Sequence, residues 1–246
     1  KGYKEGRKPI RLNRSVKNLT EQQEAQNKIW QMIRLAEYFN QLPVCQINID
    51  YSEADDIIGS LVKRFKDKQK VIVSSDKDYF QLLDDTTLLL RPTQKQILNK
   101  NNILEEYNIH PSNFALARAI VGDKSDNLPG VKGVGLKTVA KRMPFLKDKE
   151  DCLLKDVFES AIVEDRFWEK ITENKSLIEE NYKVMNLGTI FLSPQNTRVI
   201  KESIENYPLE FARTEFIKMM MQDGFAELNW DDLYSSMNRI RIANAK

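Results

Sequence analysis

The sequence predicts an α/β fold, a mainly parallel sheet with flanking helices, followed by an all-helical second part. Three observations carry that expectation. Short apolar runs alternate with helical periodicities up to about residue 100. Strand signals then nearly vanish, and a helix–loop–helix pattern with four glycines spans 121–142.

The elements follow in order. Residues 1–18 hold no sustained apolar period and read as a basic loop. Thr20 and Glu21 open a helix in which Ile29, Met32, Ile33, Ala36 and Phe39 recur at helical spacing, and Pro43 closes it. "VCQINI" at 44–49 reads as a strand, and "EADDIIGSLVKRF" as a helix with Ala54, Ile57, Ile58, Leu61 and Phe65 on its apolar face. A second strand is expected at 70–75, a short helix in "KDYFQLL", and a third strand at 87–91. Such alternation implies crossover connections, with ligands at the carboxyl ends of the strands. Pro111, Ser112 and Asn113 then cap a helix running to about Val121, and further helical patterns lie near 150–163, 164–182, 208–223 and 230–242. Residues 189–192 fit helix or strand equally, and there is no internal repeat.

Composition is that of a globular chain, 41% hydrophobic and 30% charged over 246 residues. No apolar run approaches the roughly 18–20 residues of a membrane span, and nothing resembles the apolar core of a signal peptide. A cytoplasmic monomer that engages no membrane is expected. Cys45 and Cys152 make no disulfide framework and read as small core residues of a reducing compartment. His110, the only histidine, sits before Pro111 far from the acids and reads as structural.

The net charge of +2 hides an uneven distribution. Lys1, Lys4, Arg7, Lys8, Arg11, Arg14 and Lys17 face a single acid, Glu5, at the start of the sequence. Arg118, Lys124, Lys132, Lys137, Lys141 and Arg142 form a second basic segment around Asp123 and Asp126. Two such segments on a near-neutral chain point to local contact with a polyanion.

Three acidic clusters carry the chemistry. Glu53, Asp55 and Asp56 begin a helix just past one expected strand, Asp76 and Asp78 follow the next, and Asp123 and Asp126 follow the helix ending near Val121. Each cluster alone could be a helix cap or a favourable first-turn charge. Brought together, the seven carboxylates would repel unless cations neutralised them. Oxygen donors without cysteine favour a hard cation such as Mg²⁺ over zinc. Two ions about 3.5–4 Å apart suit phosphoryl chemistry.

Gly130, Gly133 and Gly135 line a hairpin between helices, where a backbone without Cβ atoms can approach a ligand closely. Amides at the start of the helix from about Leu136 would meet phosphate oxygens, with Lys132, Lys137, Thr138 and Lys141 adding contacts that read no base. The pattern is not a P-loop, because the glycine and lysine spacing differs and no strand precedes it.

"GDKSDNLPGVKGVGLKTVAK" resembles the signature of the flap-endonuclease/5′–3′ exonuclease family, found in bacterial DNA polymerase I nuclease domains and in stand-alone phage enzymes, the phage ribonuclease H type included. "EADD" at 53–56 and "SSDKD" at 74–78 match that family's other acidic motifs in order and spacing, and "YKEGRK" at 3–8 resembles the start of its helical arch. The likeness covers roughly residues 1–145.

The resemblance implies a PIN-like nuclease core over 1–110, with the basic arch at 1–20. It implies a helical domain over 111–246, with a helix–three-turn–helix element at about 113–144. It implies two Mg²⁺ ions, replaceable by Mn²⁺, on Glu53, Asp55, Asp56, Asp76, Asp78, Asp123 and Asp126, some through water. Lys4 and Arg7 would reach the scissile phosphate and Tyr3 the base. Lys8 and the glycine hairpin would hold duplex, and some members hold K⁺ on that hairpin. The substrate implied is duplex DNA with a 5′ flap or end, or an RNA–DNA hybrid, at replication alongside other replication proteins, in the host cytoplasm for a phage-encoded enzyme.

The family's first strand bears an aspartate that reaches the metals, and another aspartate precedes the arch; neither has a counterpart here. Either that segment lies outside this sequence or the fragment is weakly active. A non-catalytic duplex-binding module is the alternative, and a ribonuclease of the related α/β type a weaker third.

Overall fold

The computed structural model describes residues 19–148, 150–161, 165–188, 192–208, 210–225 and 228–244. In chain order the elements begin with α1 (Glu21–Phe39), α2 (Ala54–Arg64), β1 (Lys70–Val73), a 3-10 turn (Asp78–Leu82), β2 (Thr87–Arg91) and β3 (Gln96–Leu98). Then come α3 (Lys100–Tyr107), a second 3-10 turn (Pro111–Asn113), α4 (Phe114–Val121) and α5 (Leu136–Arg142). The last are α6 (Phe145–Asp148), α7 (Leu154–Glu159), α8 (Arg166–Glu173), α9 (Lys175–Met185), α10 (Pro194–Glu205), α11 (Arg213–Gln222) and α12 (Trp230–Asn244). Among the described residues no helix is long and apolar enough to cross a membrane.

The chain forms two compact units, one holding described residues 52–188 and the other 19–51 with 192–244. The expected division near residue 110 falls inside the first unit.

That first unit is built around α4, whose Phe114, Ala115, Leu116, Ala117, Ala119 and Ile120 are buried. Only Arg118 and Val121 of this helix remain partly exposed. The sheet is small and mixed: β1 pairs parallel with β2, and β2 pairs antiparallel with β3. The mainly parallel sheet expected from sequence is corrected here, because β3 follows β2 through a turn too short for a crossover. Lys95 supplies its positive-φ residue (φ 51°). Ile72, Leu89 and Leu98 are buried on the inner face, where they join Phe80 and Phe114, whose rings meet edge-on at 5.3 Å. Val71, Val73 and Ile97 remain exposed on the other face.

In the second unit, Thr20 caps α1 through a capping box with Gln23. Tyr38 packs edge-on to Phe216 of α11 at 5.7 Å, and Arg34 donates through Nε to Asp223 at 2.6 Å. Residues 44–49 lie in this unit and are not a strand. Their alternation is real, with Ile49 buried and Gln46 and Asn48 exposed. Among the described residues, however, no neighbouring strand offers them a ladder, and periodicity without a partner leaves only extended chain.

Cys152 is buried and Cys45 half-buried, both as free thiols. His110 caps the second 3-10 turn, with its Nδ1 2.8 Å from the Ser112 hydroxyl.

Candidate metal centre

Four separate pieces of chain converge on one cleft of the first unit. Its volume is about 360 Å³, and its walls carry Glu53, Asp55, Asp56, Asp76, Asp78, Asp123 and Asp126 together with Leu128, Val184, Met185 and Leu187. All seven carboxylates singled out from sequence are therefore brought to one place.

Local structure explains each position. Glu53 precedes α2 and donates its backbone N–H to Asp56 at 3.4 Å, so Asp56 also steadies the helix start. Tyr79, nearly fully buried, donates its hydroxyl to Asp55 Oδ1 at 2.7 Å. Burial and that carboxylate push the Tyr79 phenol far above its usual range, so it remains a donor that orients Asp55. Asp76 accepts the Asp78 backbone N–H at 3.0 Å, although the N-cap of the turn is Lys77.

The third cluster sits on a tight loop. Gly122 ends α4 with φ 77°, and Asp123 and Leu128 then exchange backbone hydrogen bonds of 2.9 and 2.8 Å. Asn127 takes the positive φ of 58° that the turn needs. Asp126 is buried at 8% exposure. Among the described residues, Asp78, Asp123 and Asp126 each offer an oxygen within 4.8 Å of the others.

The electrostatics separate two of these three acids. Burial lifts the Asp78 carboxyl to about 6, against the opposing pull of Arg118. Burial also works to raise Asp123, but the Ser125 hydroxyl and backbone N–H, helped by Arg118, hold it below the usual carboxylate range.

An all-oxygen set of partly buried carboxylates this close suits a hard divalent cation. Metal–oxygen bonds of about 2.0–2.6 Å place ligand oxygens within about 5 Å of one another. The residues fit the ion that the sequence implies.

The glycines fall into two kinds. A Cβ at Gly130 would land on the Val121 carbonyl, and one at Gly122 would lie 2.6 Å from the Leu128 oxygen. These two are small because backbone packs on backbone. Gly133 takes φ 78°, whereas Gly135 precedes α5 with nothing within 4 Å of where a Cβ would stand. Lys132, Lys137, Thr138 and Lys141 are all exposed, while Val131, Val134 and Val139 turn inward. Tyr3, Lys4, Arg7 and Lys8, and with them the arch reading at 1–18, lie outside the described residues.

Sequence reasoning missed four supporting side chains. Arg118 was counted only as one cation of a basic run, yet its Nη2 donates to Asp78 at 3.1 Å and Asp123 at 2.5 Å. Gln81 donates to the carbonyls of Asp78 and Met185 and accepts from Leu187 N–H, tying the 3-10 turn to the apolar cleft wall. Asn181, buried on α9, donates Nδ2 to the carbonyls of Ala119 and Pro129 at 2.9 and 2.8 Å, fixing α4 to the start of the hairpin. Lys170 brings its ammonium to the Lys132 carbonyl at 3.3 Å. Arg118 had a readable signal, since four residues before Gly122 places it one turn inside the helix end.

Residues 1–108 match the family model "5′-3′ exonuclease, N-terminal resolvase-like domain". A 5′-3′ exonuclease of Buchnera aphidicola subsp. Schizaphis graminum is 34% identical over 176 residues, covering 70% of this chain and 58% of that protein. The thermostable DNA polymerase I of Thermus aquaticus is 38% identical over 113 residues, covering 45% of this chain and 14% of that protein. The chain thus spans 58% of the length of the Buchnera exonuclease and less of other curated relatives it matches.

Among solved structures, T5 5′-exonuclease with bound zinc superposes with a TM-score of 0.63 at 19% identity, covering 76% of this chain and 72% of that one. A bacteriophage T5 flap endonuclease in complex with DNA and metal ions gives 0.58 at 18% identity, covering 82% of this chain and 72% of that one. These likenesses establish the α/β nuclease fold, with its small sheet and many helices. Residues 1–108 thus match a 5′-3′ exonuclease family model, and the likeness to a curated 5′-3′ exonuclease extends over 176 residues.

Proposed function

We propose that this chain is the nuclease part of a structure-specific 5′–3′ exonuclease or flap endonuclease that hydrolyses phosphodiesters of flapped or nicked duplex DNA, or of RNA primers. The observation that carries the reading is the convergence of seven carboxylates on one cleft, with Asp78, Asp123 and Asp126 at mutual ligand distance. A zinc-bound exonuclease and a DNA-bound flap endonuclease of the same fold support it.

Two Mg²⁺ ions, with Mn²⁺ as substitute, would be held by the three acidic clusters. When bound, such a pair lowers the pKa of the attacking water and stabilises the leaving oxygen. The chain's own groups do the rest. Tyr79 orients Asp55, Arg118 spans Asp78 and Asp123, and Leu128, Val184 and Leu187 supply the apolar part of the cleft wall.

The exposed limb from Lys132 to Lys141 would contact duplex phosphates as a helix–three-turn–helix element, with Gly133 and Gly135 leaving the backbone accessible, Lys132, Lys137, Thr138 and Lys141 adding side-chain contacts, and K⁺ as a further ligand there. Lys4 and Arg7 would act on the scissile phosphate, with Tyr3 and Lys8 on the entering strand. In this division, chemistry belongs mainly to residues before about 110, and the duplex grip to those after. The setting is replication or repair in the cytoplasm.

A labelled 5′-flap duplex incubated with Mg²⁺ tests the reading, with the longest natural form of the protein beside this chain. Cleavage is expected, and Asp76→Ala with Asp78→Ala should reduce it at least about 100-fold. Binding of the flap without cleavage by either form would establish the duplex-binding module instead.

A further inference from the structure

Arg118 has a placement that a surface cation does not require. It stands on α4, whose neighbouring positions are buried, and its side chain is only 16% exposed. One terminal nitrogen, Nη2, donates to Asp78 Oδ1 at 3.1 Å and to Asp123 Oδ2 at 2.5 Å. Those aspartates belong to different elements, one on the 3-10 turn after β1 and the other on the loop after α4.

Arg118 contacts one oxygen of each carboxylate. The other oxygen of Asp123 accepts from Ser125, through its backbone N–H at 2.7 Å and its hydroxyl at 2.6 Å. Asp78 and Asp123 line the acidic cleft, whereas Arg118 lines the shallower depression beside it, with Ser74, Ser75, Lys77 and Ser125. The guanidinium therefore bridges one oxygen of each carboxylate from the side of that neighbouring depression, which Asp123 also lines, and is not itself part of the cleft wall.

We infer that Arg118 is a positioning residue for the cation site: it holds Asp78 and Asp123 together from that side, so that two ligands from separate elements are assembled before a divalent ion arrives. The inference rests on the proposed metal-dependent nuclease reading. Two carboxylates at ligand distance repel, and in the ion-free protein a fixed guanidinium is the group that opposes their separation. Its fork is planar and stiff, so little further ordering is needed when the ion binds.

The sign of one measurement separates this role from that of a mere counter-charge. Removing a nearby positive charge should by itself tighten cation binding. Removing a positioning group should weaken it, because the ion must then gather its own ligands.

The experiment is calorimetric titration of Mn²⁺ alone into this chain, into Arg118→Met and into Arg118→Lys, with Asp78→Asn plus Asp123→Asn to identify the site. Thermal melts and circular dichroism accompany each titration. The wild type should bind Mn²⁺ in a manner lost in the double asparagine variant. Arg118→Met should bind about tenfold or more weakly. Arg118→Lys, which restores the charge but whose nitrogen ends about one bond short of the Nη2 position and lacks the stiff guanidinium plane, should recover only part of that loss.

Equal or tighter binding by a folded Arg118→Met overturns the positioning role while leaving the metal site standing. If Arg118→Met does not fold, Arg118→Lys decides by the same criterion, weaker binding supporting the role and equal or tighter binding overturning it. Absence of any wild-type binding that depends on Asp78 and Asp123 removes the metal reading and this inference with it.

Discussion

The loop carrying Asp123 and Asp126 and the limb running from Lys132 to Lys141 are neighbours in sequence and are held in opposite ways. The loop is fixed from every side. Gly122 and Gly130 bring backbone against backbone, the Asp123–Leu128 pair closes it, and Asn181 ties the chain at Pro129 to α4. The limb is anchored on one side, by Val131, Val134 and Val139 with Leu136 and Ala140 against the core and Lys170 at the Lys132 carbonyl, while its glycine at 135 and its lysines are exposed. One region is tightly fixed, as the proposed metal ligands would require, and the other leaves an exposed face, as the proposed duplex contact would require. Glycine serves both ends for unrelated reasons.

The largest expected effect breaks the fixed region. Gly130→Ala would place a methyl group on the Val121 carbonyl, an atom of buried-helix backbone that cannot swing aside. Relief requires the loop to move, and the expected cost is about 3–5 kcal/mol of stability. Denaturant melts measure it directly. A loss below about 1 kcal/mol would mean that the loop yields readily, contrary to the comparison. Acid geometry should suffer with it, so Mn²⁺ affinity in Gly130→Ala should fall as well.

This distinction between the glycines was not legible in the sequence, which presented four of them in one stretch with a single apparent purpose. Composition reports that a side chain is missing, not whether its place is taken by protein or left empty. The acid clusters were legible because Asp76 and Asp78 follow a strand, Asp123 and Asp126 follow a helix, and Glu53, Asp55 and Asp56 open one, although the strand expected before Glu53 is absent. What failed did so where pairing matters more than periodicity. Residues 44–49 alternate as a strand does but find no partner ladder among the described residues, and the short β3 was overlooked beside its tight turn. The helices α3 and α10 were also passed over, although each carries a readable start. Asn99 and Asn102 cap α3 reciprocally at 3.1 and 2.9 Å, and Ser193 followed by Pro194 opens α10. Nothing local marks Asn181, whose partners lie 62 and 52 residues away.

A smaller effect sharpens the comparison within the acidic site. Asp78 and Asp123 share Arg118 but shift in opposite directions. Because Asp78 is raised to about 6, the folded protein holds its proton more firmly than the unfolded chain does. Its contribution to ion-free stability is therefore full below the ordinary aspartate value and is lost as pH rises through about 6. Asp123 is lowered, so its contribution is present above the ordinary value and lost as pH falls toward its own. Between about pH 4 and 6 the wild type, measured against Asp78→Asn, should gain roughly 2 kcal/mol of ion-free stability on acidification. Over the same interval Mn²⁺ affinity should drop, since a protonated Asp78 is no longer a ligand. Opposite slopes in the two titrations are the expected result. An Mn²⁺ affinity independent of pH across 4–6 would remove Asp78 from the site.

The smallest expected effect on folding concerns the open limb, and its smallness makes it informative. Gly135 has φ −119°, a conformation that any residue adopts, and its Cβ position meets nothing within 4 Å. Gly135→Ala should therefore change stability by no more than about 1 kcal/mol, the modest difference between glycine and alanine at a helix start. A ligand is the one thing the added methyl can obstruct. If the amides at the start of α5 approach duplex phosphate, Gly135→Ala should weaken duplex binding about tenfold at low salt while leaving Mn²⁺ affinity unchanged. Fluorescence anisotropy with a labelled duplex, beside the Mn²⁺ titration, reads both quantities. Unchanged duplex affinity would place the nucleic acid elsewhere on the unit and leave Gly135 without a role. The opposite pattern, intact duplex binding with weakened Mn²⁺, would mean that the open limb and the fixed loop are mechanically one piece.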